Sequence, residues 1–165
     1  MTPGEEGMSI RKENERSRPH GLFVFAVVFD AVAKAAARAF LSGTTVSLPF
    51  GAFLRLHANP GVAFGMAGSW GGALGVVGVA ILLYLTYVVP LRGRAGRYGL
   101  ALLWAGGLSN AVERLALGGV TDFLFLPLGL AGIPGLFVNI ADLWVGLGVC
   151  LLAADVFRQR DGAEP

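Results

Sequence analysis

The chain has 165 residues, of which 55% are hydrophobic and 15% charged, with a mean hydropathy of +0.65. That length makes one domain, and so much apolar sequence exceeds what a water-soluble core can bury, so a soluble globular protein is excluded. The formal charge of +2 gives no reason to invoke a nucleic-acid partner, and the single cysteine, Cys150, excludes an internal disulfide and a thiolate-built metal site.

Residues 1–20 are polar and carry Pro3, Gly4, Gly7 and Pro19, which predicts a disordered tail. Apolar stretches long enough to cross a hydrocarbon layer follow at residues 21–41, 71–90, 98–117 and 137–157, and residues 158–165 form a second polar tail. The segment 21–157 therefore reads as a single membrane domain of four helices. Its first span places Asp30, Lys34 and Arg38 at i, i+4 and i+8, one stripe of a helix that must face protein or water. Basic residues, an apolar run at 22–29 and Ala31-Val32-Ala33 imitate a cleavable secretory signal, but Glu5, Glu6, Glu13 and Glu15 cancel the basic charge. An uncleaved span is the better reading.

The connection 42–70 mixes Thr44, Thr45, Val46 and Phe50 with Pro49, Gly51, Pro60, Gly61 and Gly65, a pattern for short strands and turns at the membrane surface. Phe40, Phe50, Phe53, Phe64 and Trp70 suit the interfacial zone there. The second span has Gly71, Gly72, Gly75 and Gly78, spaced for close helix contact, and no ionisable residue. The third becomes polar near its end, where Asn110, Glu113 and Arg114 share a face. A helix-poor connection, 118–136, then brings Asp122, and the fourth span opens with Asn139 and Asp142 at i and i+3.

Arg11, Lys12, Arg16 and Arg18 precede the first span, Arg92, Arg94 and Arg97 fill the second turn, and Arg158 and Arg160 follow the fourth, whereas the opposite side has only Arg55. This asymmetry predicts both termini in the cytoplasm and the two long connections outside. Seven of the eleven acidic residues lie in the tails or in the last turn of the fourth span, which leaves Asp30, Glu113, Asp122 and Asp142 within or beside apolar sequence. Asp142 falls about 7 to 8 Å below the outer end of its helix at the usual rise per residue, and Asp122 lies at the same boundary. Two aspartates that converge share a proton and divide into a base, which activates water, and an acid, which protonates the carbonyl oxygen, with no cofactor or metal. On spacing alone, such a protease pair and a proton or cation pathway built from the four acids stand level.

Four blocks carry a resemblance. They are Asp30 with Lys34; Asn59-Pro60-Gly61-Val62-Ala63-Phe64-Gly65; Ser109-Asn110-Ala111-Val112-Glu113-Arg114-Leu115 leading to Val120-Thr121-Asp122-Phe123; and Phe137-Val138-Asn139-Ile140-Ala141-Asp142. In order, spacing and topology they resemble the bacterial lipoprotein signal peptidases, the signal peptidase II family of intramembrane aspartic proteases. The resemblance implies cleavage of diacylglyceryl-modified prolipoproteins on the amino side of the lipidated cysteine, in the bacterial inner membrane at its extracytoplasmic face. It also implies Asp122 and Asp142 as the catalytic pair, with Asn59, Asn110, Arg114 and Asn139 orienting it or holding substrate and Asp30 and Lys34 in support. The strand-rich segment between the first two spans becomes a small sheet at the membrane surface, and the connection 118–136 a flexible cover. Two positions depart from the family pattern: Glu113 stands where an aspartate is usual, and Ser109 where a glycine is usual. The alternatives that stand beside it are the proton or cation pathway, although the fourth span below Asp142 is apolar until Asp155, and a non-catalytic membrane scaffold, which the Glu113 change and the polar amino-terminal tail favour.

Overall fold

A computed structural model describes residues 3–60, 71–89, 91, 93–130 and 133–161. Four helices, α1 (Pro3–Phe40), α2 (Gly71–Val88), α3 (Arg94–Leu117) and α4 (Ile140–Asp161), stand under a sheet of β1 (Thr45–Ser47), β2 (Phe53–Asn59), β3 (Val120–Leu130) and β4 (Ile133–Val138). The strands pair antiparallel in the order β1-β2-β3-β4. The molecule is therefore not all-helical. The connection expected to be a flexible cover supplies β3 and β4, half of the sheet, and joins them edge to edge with the strands of the earlier connection.

The tail expected to be disordered is helical, since α1 begins at Pro3. Proline fits the first turn of a helix, where its missing N–H costs nothing, and the Glu, Arg, Lys and Met that follow have good helical propensity. Of the second sequence block, Gly61 to Gly65 lie outside the described residues, as do Phe64 and Trp70 of the proposed interfacial aromatics. Phe40 and Phe50 are exposed as expected, but Phe53 stacks on Phe125 at 4.4 Å in an aromatic cluster on the sheet that also takes in Phe137 and His57.

Among the described residues, one helix, over Ile140–Gln159, is both long and apolar enough to cross a membrane, and Gly72–Val88 is apolar but shorter. The expected spans of the first and third helices include ionisable residues, and the structure turns Asp30, Lys34 and Glu113 inward. Asp30, Lys34 and Glu113 are buried, while Val24, Phe25, Val28 and Val32 of α1 and Val112, Leu115 and Leu117 of α3 are exposed. Large apolar side chains on the outside and charges within invert the arrangement of a water-soluble bundle.

Among the described glycines, the closest approach of helix backbones is between α3 and α4, not in α2. A Cβ on Gly99 would lie 2.8 Å from the carbonyl oxygen of Gly148, one on Gly148 2.7 Å from that of Gly99, and one on Gly106 2.3 Å from that of Ala141. Small residues let the two backbones touch, as expected where apolar burial alone cannot drive association. In α2, Gly75 does approach Ala111 and Arg114, and Trp104 Nε1 donates to Thr86 Oγ1 at 2.9 Å to tie α3 to α2, but nothing lies within 4 Å of a Cβ at Gly78. The α3–α4 seam fixes where the first turn of α4 sits beside Asn110.

Candidate active site

The site is assembled around the first turn of α4. Asn139 is the residue before the helix, and its Oδ1 accepts the Asp142 N–H at 3.0 Å while the Asp142 carboxylate accepts the Asn139 N–H at 3.0 Å. This reciprocal pair is a capping box in which asparagine and aspartate take the usual places of Ser/Thr and Glu. The next free N–H of the turn, that of Ala141, donates to Asp30 Oδ1 of α1 at 2.8 Å. A carboxylate from another helix thus completes the cap, where the helix dipole favours negative charge.

Asp122 arrives from β3. The register of β2 against β3 shifts between Leu54 and His57, which sets His57 opposite Asp122 and Asn59 opposite Val120. Asn59 then lies diagonally across the strands from Asp122, within side-chain reach. The Asp122 carboxylate accepts Asn59 Nδ2 at 2.9 Å and Asn139 Nδ2 at 2.7 Å and is 2% exposed. Burial pushes its carboxyl above the ordinary range and the charge of Asp142 acts the same way, against the Asn59 and Asn139 bonds and the charge of His57. One residue, Asn139, therefore holds both aspartates: its backbone binds Asp142 and its side chain binds Asp122.

Asn110 of α3 supports the pair from below. Its Nδ2 donates to Asp142 Oδ1 at 2.8 Å, and its Oδ1 accepts Lys34 Nζ at 2.7 Å and Asn139 Nδ2 at 3.2 Å. These bonds fix which end of the Asn110 amide is oxygen, because Lys34 can only donate. Lys34 spends its other hydrogens on Asp30 at 2.9 Å and Glu113 at 3.0 Å, and Ser109 Oγ donates to Asp30 at 2.5 Å. Ser109, the departure from glycine, is thus the second donor to Asp30 Oδ2. A buried lysine is tolerable here because two carboxylates and an amide oxygen satisfy it.

Each residue singled out in the sequence is placed in or beside this network. Asp122, Asp142, Asn59, Asn110, Asn139, Asp30, Lys34 and Glu113 form one connected hydrogen-bond system. Arg114 differs: its positive charge acts on Asp142, it packs against Gly75, and its buried Nε has no partner among the described residues. Two participants were not assigned to the site by sequence reasoning. Arg38 and Thr121 both bind Glu113, and only the i+8 position of Arg38 on the Asp30–Lys34 stripe pointed to the former.

A pair of carboxylic acids held by amide donors, one of them buried enough to keep its proton above the usual range, has the chemistry to share one proton and pass it in two directions. The chain matches the signal peptidase (SPase) II family over residues 22–158. It is 33% identical over 151 residues to the lipoprotein signal peptidase of Paraburkholderia phymatum, covering 87% of this chain and 90% of that protein. The lipoprotein signal peptidases of Burkholderia mallei and Burkholderia thailandensis are each 32% identical over the same shares. The fold is similar to that of a bacterial membrane enzyme solved at 2.3 Å, with a TM-score of 0.73 at 23% identity, covering 90% of this chain and 92% of that one. A second bacterial membrane enzyme, solved at 1.9 Å, gives 0.71 at 26% identity, covering 85% and 92%.

Proposed function

The chain belongs to the signal peptidase II family, membrane-embedded aspartic peptidases that remove the signal peptides of lipoprotein precursors, and we propose that Asp122 and Asp142 are its catalytic pair. The observation that carries the assignment is the double grip of Asn139 on both carboxylates. The pair holds one proton. Its ionised member takes a proton from water as the oxygen attacks the peptide carbonyl, and the protonated member delivers its proton to the developing oxyanion. When the tetrahedral intermediate collapses, the proton gained from water goes to the departing amine, the oxyanion proton returns to the pair, and the site is restored.

Asn110 and Asn139 orient the acids, Asn59 steadies Asp122, and Arg114 offsets the negative charge at Asp142. Asp30 and Lys34 lock α1 to the base of the site, and Glu113 ties α3 to β3. The substrates in this reading are precursors whose cysteine carries diacylglycerol, cut on the amino side of that cysteine. Their acyl chains stay in the surrounding membrane lipid, so binding energy far from the scissile bond positions it. Four helices at 21–41, 71–90, 98–117 and 137–157 cross the inner membrane with both termini cytoplasmic and the sheet and site outside. The distribution of arginine and lysine and the exposed apolar faces of all four helices support this arrangement.

The test is a synthetic diacylglyceryl precursor peptide incubated with purified protein, the cut located by mass spectrometry. Asp122→Asn and Asp142→Asn, each checked for folding by size exclusion and thermal unfolding, abolish cleavage; normal turnover by either would end the assignment.

A further inference from the structure

At the start of β3 the sheet is incomplete. The pairing of β3 with β4 runs from Leu124 opposite Val138 onward, so Val120 to Phe123 have β2 on one side and no strand of the sheet on the other. Glu113 of α3 fills that place for the residue beside Asp122: its Oε2 accepts the Thr121 N–H at 3.1 Å and its Oε1 accepts Thr121 Oγ1 at 2.7 Å. A side-chain carboxylate does there what a neighbouring strand does farther along.

Glu113 is held by two cations. Lys34 lies 3.0 Å from Oε2, and Arg38 Nη1 lies 2.6 Å from Oε1 and 2.7 Å from Thr121 Oγ1. The donor count closes: Arg38 Nη1 has two hydrogens, one for Glu113 and one for the Thr121 oxygen, and the Thr121 hydroxyl gives its own hydrogen to Glu113. The charges alternate along the chain Asp30, Lys34, Glu113, Arg38, and Arg38 is the half-exposed end while the other three are buried. Lys34 alone would draw the Glu113 carboxylate toward Asp30 and Asn110; Arg38 draws it toward Thr121.

We propose that Arg38 is a positioning residue for Asp122, acting through Glu113 and Thr121 to set the strand segment on which Asp122 is carried. The longer reach of Glu113, compared with the aspartate usual at this place in the family, is what lets one carboxylate meet Lys34, Arg38 and both polar groups of Thr121. The proposal rests on the reading of Asp122 as catalytic, but the fixation of the strand can be measured without catalysis.

The experiment compares Arg38→Ala, Arg38→Lys, Thr121→Val and the Arg38→Ala/Thr121→Val double variant. Hydrogen exchange is followed in peptides covering residues 118–123, together with kcat and KM on the lipidated peptide. Arg38→Ala speeds exchange in that segment while α4 is unchanged, and lowers kcat about tenfold or more with KM nearly constant, because a small displacement of a reacting group costs rate more than binding. Arg38→Lys restores most of both, and the double variant is no worse than the worse single one. Unchanged exchange at 118–123, wild-type kcat in Arg38→Ala, or losses that multiply in the double variant would overturn the proposal. If Arg38→Ala does not fold, Arg38→Gln, which keeps a donor but not the charge, takes its place with the same readouts. Faster exchange alongside an Asp122→Asn variant that still cleaves would instead uphold the latch and refute the catalytic assignment.

Discussion

Asn59 makes the electrostatics of Asp122 testable. Its donated bond favours the ionised carboxylate against the burial that disfavours it. Asn59→Leu removes that bond, so the pair keeps its shared proton to higher pH, and the alkaline limb of the pH profile of kcat/KM moves upward. An alkaline limb that stays in place or moves down would contradict the role given to Asn59. Asn139 separates cap from amide in the same way: Asn139→Ser keeps an oxygen able to cap the third N–H of α4, but not an amide reaching Asp122. Because the lost amide leaves the buried Asp122 carboxylate and Asn110 Oδ1 each a donor short, Asn139→Ser costs about 1 to 3 kcal/mol in stability; Asn139→Ala loses the cap as well, about 1 kcal/mol more, and both variants lose cleavage. Glu113→Asp, by shortening the reach to Thr121, lowers turnover less than Glu113→Gln, which leaves Lys34 and Arg38 short of an anion; the two rate constants decide it. The two aspartates were legible in the sequence because acids are scarce in apolar stretches. Arg38 and Thr121 were not, since a stripe of charges does not reveal which strand residue a helix will meet.

Among the elements, α3 is anchored at both ends. Its N-terminal Gly93 N–H donates to the buried Asp155 of α4 at 3.3 Å, and its C-cap Gly118 takes the left-handed conformation at φ 74. Asp155 is thereby engaged in a cap, with Gln159, 2.9 Å away, as a second donor. Between these anchors the α3–α4 seam bears directly on the site, because Gly106 touches the carbonyl of Ala141, the neighbour of Asp142. Gly106→Ala overpacks this contact, with a stability loss of about 1 to 3 kcal/mol and a matching fall in cleavage. Gly78→Ala, which meets open space, leaves thermal unfolding unchanged or slightly raised; the paired melting curves settle the contrast. The apolar stretches located the four helices to within a few residues, except that α1 starts in the tail and α4 ends at Asp161. The strands β3 and β4 were hidden because Pro127, Gly129, Gly132, Pro134 and Gly135 read as loop, whereas cross-strand pairing from Leu124 opposite Val138 to Leu130 opposite Ile133, Pro127 with Gly135 among it, makes that stretch a ladder.

For the whole molecule, the proposed topology rests on the exposed apolar belt and on the distribution of arginine and lysine in the sequence. In a Cys150→Ser background, Arg55→Cys reacts with a membrane-impermeant maleimide in intact cells and Arg97→Cys only after lysis; the reverse pattern would invert the orientation. Composition announced a membrane protein, yet the enclosure of charge between α1 and α3 depended on how two helices face each other, which no single helix encodes. At the centre, one carboxamide on Asn139 joins β3, α3 and α4 while its main chain begins a helix. Because every replacement there surrenders either the fold or the chemistry, an inhibitor anchored on that group would face a target without a harmless route to drug resistance.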